Sequence, residues 1–162
     1  MPAAVPTDDL IGAAALAISA AVWATYRMEP TDAAALNVVL AEPGISISRL
    51  SRVLGLSHSA AVRVTDRLEH RELVTRSPAG PGRTVALAVT AHGQHLARQA
   101  AARRAQVLER ATAGLTAAER QSLITLLATV VRQLAADQDQ IDQACRLCDQ
   151  RRCLSRRCPL PA

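Results

Sequence analysis

The sequence contains no lysine and no phenylalanine, one tryptophan and one tyrosine, and no cysteine before residue 145. With so few aromatics, its apolar half is mostly Ala, Leu and Val, which suits closely packed helices better than a deep aromatic ligand cage. Trp23 and Tyr26, one helical turn apart, read as packing residues. Residues 10–26, LIGAAALAISAAVWATY, follow Asp8 and Asp9 rather than a basic segment. They are also shorter than the roughly 20 residues of a spanning helix, so they are neither an export signal nor a membrane span. They read instead as a buried helix that packs against a second chain. No membrane partner is expected. Without an export signal the expected compartment is the cytoplasm, where stable disulfides are rare. No repeated unit is present.

What the chain does have is an excess of basic charge, all of it carried by arginine. Nineteen arginines face fourteen acidic residues, giving a net charge of +5 and a pI of about 9.8. This favours an anionic partner, with double-stranded DNA the leading candidate. At 162 residues the chain fits one compact domain with appended helices.

The pattern from 46 to 90 is the most informative. Ser46 is a helix N-cap, and Ile47, Leu50 and Leu54 recur on one helical face. Gly55 breaks that helix, Leu56 reads as buried, and Ser57 caps the next. There Ala61, Val64 and Leu68 form an apolar stripe, with Ser59, Arg63, Asp66 and His70 directly opposite. Two short helices joined through glycine, the second polar outside, describe a helix-turn-helix. Val74 and Arg76 then lead into a Pro/Gly-rich tip at 78–82, after which Val85, Leu87 and Val89 alternate. This is a β-hairpin, and in this position it is a wing with Arg83 at its tip.

The flanking segments are helical. One helix runs from Asp8 to about Arg27, and Thr31 caps another from Asp32 to about Leu40, ended by EPG at 42–44. Thr90 starts a long helix to about Ala113. TAAE at 116–119 is a capping box that opens a helix continuing to about Ala144, with a stripe of Leu123, Leu126, Leu127, Val130 and Leu134. The expected fold class is therefore mainly α, with a winged helix-turn-helix.

With this helix order, ISRLSRVLGLSHSAAVRVTDRLEHRELVTR, and a wing running into VTAHG, residues 8–143 resemble the MarR family of winged helix-turn-helix transcription regulators. The resemblance implies a homodimer whose first and last helices interlock. It divides the chain into a helical dimerisation region at 8–30 and 91–144, a DNA-binding lobe at 31–90 and a cysteine-rich tail at 145–162. It matches Ser57, Ser59 and Arg63 to recognition-helix contacts and Arg83 to the wing-tip arginine. His58, Arg67 and Arg76 complete the candidate DNA-binding set, although Arg67 and Arg76 can equally hold the wing to the helix. Three positions depart from the family pattern. Gly82 stands where an Asp usually holds the wing arginine, Val62 replaces a Ser or Thr, and Glu72 takes the place of a frequent glycine.

Cys145, Cys148, Cys153 and Cys158 have the spacing C-x2-C-x4-C-x4-C, followed by Pro159. A C-x2-C pair lets two thiolates reach one ion from a tight turn, and two later cysteines can close a tetrahedron. The spacing equals that of a retroviral-type zinc knuckle with Cys in place of its His, but without its glycines. Zinc is the expected cofactor. An iron–sulfur cluster and unligated reactive thiols remain alternatives, since Arg146, Arg151, Arg152, Arg156 and Arg157 would lower thiol pKa values in each case. His70, His92 and His95 have no ligand spacing beyond the His92/His95 pair, which reads as a solvated face.

The expected function is a homodimeric, sequence-specific DNA-binding repressor that responds to metal, an oxidant or a small-molecule effector. In the arrangement the resemblance implies, a metal clip at the last helix would set the distance between recognition helices. Two other classes compete: a winged-helix protein-interaction module with a structural zinc tail, and a thiol oxidoreductase using Cys145 and Cys148. The last lacks a preceding strand and any surrounding catalytic array.

Overall fold

Two serines set the frame of the DNA-binding lobe. The computed structural model describes residues 6–78, 85–149 and 158–160. In it the Ser46 hydroxyl accepts from the Arg49 N–H and the Ser57 hydroxyl from the Ala60 N–H. The chain runs α1 (Thr7–Trp23), α2 (Pro30–Ala41), β1 (Ile45–Ser46), α3 (Ile47–Leu54), α4 (His58–His70), β2 (Val74–Pro78), β3 (Val85–Val89), α5 (Ala91–Ala111), α6 (Ala117–Leu134) and α7 (Gln138–Cys145). Gly55, at φ 65°, takes the left-handed conformation that ends α3 and turns the chain into α4.

β2 and β3 form the antiparallel hairpin, in register from Val74 opposite Val89 to Pro78 opposite Val85. β1 adds to the other edge of β3, with Ile45 opposite Leu87, so the sheet order is β1-β3-β2. The two-residue β1 was not expected from the sequence, because so short a strand has no visible period. The wing tip, including Gly82 and Arg83, lies outside the described residues.

One core holds the lobe. Leu36 and Val39 of α2, Leu50 of α3, Leu68 of α4, Leu73, Val74 and Leu87 are all essentially inaccessible to water. Each such aliphatic side chain contributes on the order of 1.5–3 kcal/mol by leaving water. The predicted stripe of Ala61, Val64 and Leu68 is buried, and Ser59, Arg63, Asp66 and His70 are exposed.

Elsewhere the structure departs from the sequence expectation in three places. α1 ends at Trp23 rather than near Arg27. α2 starts at Pro30, whose missing N–H costs nothing in a first turn, so Thr31 lies inside the helix and does not cap it. The last helix does not run to Ala144 unbroken: α6 stops at Leu134, and the Asp137 side chain caps a separate α7 by accepting from the Gln140 N–H. α1 itself, expected to pack against a second chain, is largely exposed in the single chain. Of its residues only Val22 is buried, while Leu16 is 75% exposed; on α6, Leu134 is 78% exposed.

Candidate nucleic-acid interface

The start of α4 presents the polar face that the sequence predicts. Ser57, His58, Ser59 and Arg63 are all exposed there, and the Ser57 and Ser59 hydroxyls lie 3.2 Å apart. Arg63 makes no ion pair among the described residues. A guanidinium one turn into a recognition helix, uncommitted and solvated, can reach a base edge or a phosphate.

Arg67 and Arg76 are placed differently. Arg67 Nη2 donates to Asp32 Oδ1 at 2.5 Å, and Asp32 is only 2% exposed on α2. The Asp32 hydrogen bond raises the Arg67 pKa above its ordinary value. Arg76 donates to Glu69 and Asp66, both at 2.6 Å, and ties the wing strand β2 to the exposed side of α4. In this geometry Arg67 ties α4 to α2, and Arg76 ties the wing to α4. Of the seven candidate DNA-binding residues, Ser57, His58, Ser59 and Arg63 are exposed at the start of α4, Arg67 and Arg76 form ion pairs that brace that helix, and Arg83 lies outside the described residues.

Sequence reasoning missed a second cluster. α7 lies against α3 of its own chain: Arg49 pairs with Asp142 at 2.5 Å and Asp139 at 3.4 Å, and Arg52 with Asp139 at 3.8 Å. Gln143 Nε2 donates to the Arg52 carbonyl at 3.1 Å. Residues 138–144, grouped above with the dimerisation region, thus meet the helix-turn-helix directly. The i, i+3 spacing of Asp139 and Asp142 was visible as an acidic helix face, but nothing in the sequence identified its partner.

The cysteine tail begins where α7 ends. The Cys148 N–H donates to the Cys145 carbonyl at 2.7 Å, closing a turn. Asn37 Nδ2 donates to the Arg146 and Cys148 carbonyls at 2.9 and 3.1 Å, and an Arg104 Nη1 donates to the Leu147 carbonyl. A hydrogen bond from Cys145, followed by the Arg104 charge, lowers the Cys148 thiol to about 6 against the opposing effect of burial. Cys145 and Cys148 are thus brought together. Cys153 lies outside the described residues, and among those described no group of three or more His, Cys, Asp or Glu is arranged to hold a metal ion.

Residues 28–84, which span α2 to the wing, match the sequence profile of the MarR family. This lobe belongs to the MarR family. The matched family is one of DNA-binding regulators rather than enzymes. Solved structures with the same fold include a MarR family protein from Bacillus stearothermophilus (TM-score 0.71, 18% identity, covering 78% of this chain and 91% of that one). The PcaV transcriptional regulator from Streptomyces coelicolor, in complex with its natural ligand, matches with a TM-score of 0.62 and 26% identity over 82% of this chain and 99% of that one. Streptococcus pneumoniae FabT in complex with DNA matches with a TM-score of 0.61 and 17% identity over 67% and 76%. No curated protein matches the sequence. Among the described residues no helix is long and apolar enough to cross a membrane.

Proposed function

We propose that this MarR-fold protein is a homodimeric, sequence-specific DNA-binding transcriptional repressor of the cytoplasm. The observation that carries the reading is the open start of α4. Ser57, His58, Ser59 and Arg63, the last without an ion pair among the described residues, project from a helix braced by the Arg67–Asp32 and Arg76–Asp66/Glu69 ion pairs. Recognition side chains are useful only when the helix beneath them is rigid, because a base contact tolerates little positional error. The solved DNA complex of the similar FabT supports the same use of this lobe.

The dimer follows from the apolar faces. Leu10, Ile11, Leu16 and Ile18 of α1 and Leu126, Leu127 and Leu134 of α6 are more than two-fifths exposed in the single chain. Faces of this size at both ends of the sequence are the surface a second copy would cover. Repression follows if the dimer simply occupies DNA. A small-molecule effector is part of the proposal, by analogy with the ligand-bound PcaV.

The experiment is selection of duplexes from a random pool by the purified full-length chain, with molar mass measured by light scattering. The proposal expects a dimer and enrichment of an inverted repeat whose half-sites lie about one helical turn apart. A monomer, or a pool that stays random, would overturn it. Retained folding without any DNA binding would favour the protein-interaction alternative.

A further inference from the structure

The C-terminal strap, α7 and the turn at 145–148, connects two sulfurs to the helix-turn-helix through contacts within one chain. At one end Asp139 and Asp142 hold Arg49 and Arg52 of α3. At the other, the single Asn37 amide nitrogen donates to carbonyls two residues apart, those of Arg146 and Cys148. Both carbonyls can meet one nitrogen only while the chain reverses between 145 and 148. That reversal is what a bond between Cys145 and Cys148 would fix. The turn is closed by the Cys148 N–H to the Cys145 carbonyl, which brings the two thiols within interacting distance. A turn of this kind keeps its end Cα atoms within about 7 Å, the separation at which a disulfide can form without backbone movement.

We propose that Cys145 and Cys148 are a dithiol modification site for a hydroperoxide oxidant, and that the resulting disulfide fixes α7 over α3, keeping Arg49 and Arg52 from DNA phosphate. The chemistry balances. One sulfur attacks the O–O bond, forming S–O and releasing an alcohol or water. The second sulfur then displaces the hydroxyl from the first, forming S–S and releasing water. Two thiols are oxidised by two electrons, the peroxide is reduced by two, and the thiol protons leave in the products.

Linkage supplies the direction. The disulfide forms most readily in the conformation where its sulfurs already meet, so oxidation stabilises the anchored strap by the same factor that anchoring favours oxidation. α3 is the first helix of the helix-turn-helix, the one that crosses the DNA backbone in this class of motif. With Asp139 and Asp142 on its arginines, that helix presents neutralised cations and an acidic neighbour where phosphate would lie. The DNA half of this inference rests on the regulator reading; the thiol half does not.

The test uses the full-length chain, reduced or treated with hydrogen peroxide, followed by non-reducing peptide mapping and hydrogen exchange. The expected result is a disulfide between Cys145 and Cys148, with exchange of the α7 amides slowed about tenfold, within the common range of coupling factors. Cys145→Ser and Cys148→Ser should show neither effect. Asp142→Asn should form the disulfide with less slowing. A bond to Cys153, Cys158 or a second chain, unchanged exchange, or one metal ion per chain that blocks oxidation would each overturn the proposal. DNA affinity should fall about tenfold on oxidation. Equal affinity in both states would overturn the masking. Disulfide and slowed exchange without DNA binding in either state would leave the switch standing and remove the regulator reading.

Discussion

A β-carbon on Gly93 would stand 2.0 Å from the carbonyl oxygen of Leu73. That carbonyl closes the junction between α4, the wing and α5, since it also accepts the Thr90 N–H at 3.0 Å. Gly93 is the glycine of VTAHG, and the close approach of backbone to backbone is why that position has no side chain.

Gly93→Ala should therefore cost at least about 3 kcal/mol, because the obstacle is backbone rather than a flexible side chain. The thermal midpoint should fall by roughly 6–12 °C for a chain of this size. An unchanged midpoint would show that α5 can shift away from Leu73.

Glu72 follows α4 at φ 57°, in the left-handed region, and its carbonyl accepts the Thr90 hydroxyl at 2.7 Å. Glu72→Gly should stabilise the chain by about 0.5–1 kcal/mol, the relief of a strained L residue less the extra freedom glycine gives the unfolded chain. Glu72→Ala should bring no such gain. Denaturant unfolding of both variants checks the contrast.

Arg67→Met should leave the buried Asp32 carboxylate without its cation. Fully buried pairs broken this way cost about 3–5 kcal/mol; with the Arg67 side chain 49% exposed, about 2 kcal/mol is expected. If Arg67 braces rather than reads DNA, the folded variant should keep its DNA affinity within about threefold, a change under 1 kcal/mol. Stability and affinity measured on one preparation separate the two roles.

The Cys148 thiol, lowered to about 6, gives a pH signature. Its alkylation rate should be half-maximal near that pH, and Cys145→Ser should move the midpoint up towards the ordinary thiol value. Because the folded value is depressed, the thiolate stabilises the fold above the ordinary value, and this contribution is lost as pH falls towards and through 6. The stability difference between the native chain and Cys148→Ser should shrink over that window.

Most of the lobe was legible because its devices are local. Ser46, Gly55, Ser57, Thr90 and the Thr116–Glu119 box act within three or four residues, so the sequence displays both partners of each cap. The face of α4 was legible for the same reason, through the 3.6-residue period. Long-range pairings were not: Arg67 finds Asp32 thirty-five positions away, and Arg49 finds Asp142 ninety-three away. The break between α6 and α7 was missed because Ala135 and Ala136 are strong helix formers, while the Asp137 cap that starts a new helix looks like an ordinary surface residue. For the tail, spacing suggested four equivalent ligands. The structure brings Cys145 and Cys148 together through contacts from α2 and α5 that no spacing encodes.

The central claim is that the open start of α4 reads DNA. A salt titration of binding to a selected duplex, comparing the native chain with Arg63→Ala, tests it most directly. The account predicts affinity that falls steeply with salt, and a loss of about tenfold or more in Arg63→Ala without loss of folding. Identical affinity for the two folded proteins, or binding indifferent to salt, would contradict it.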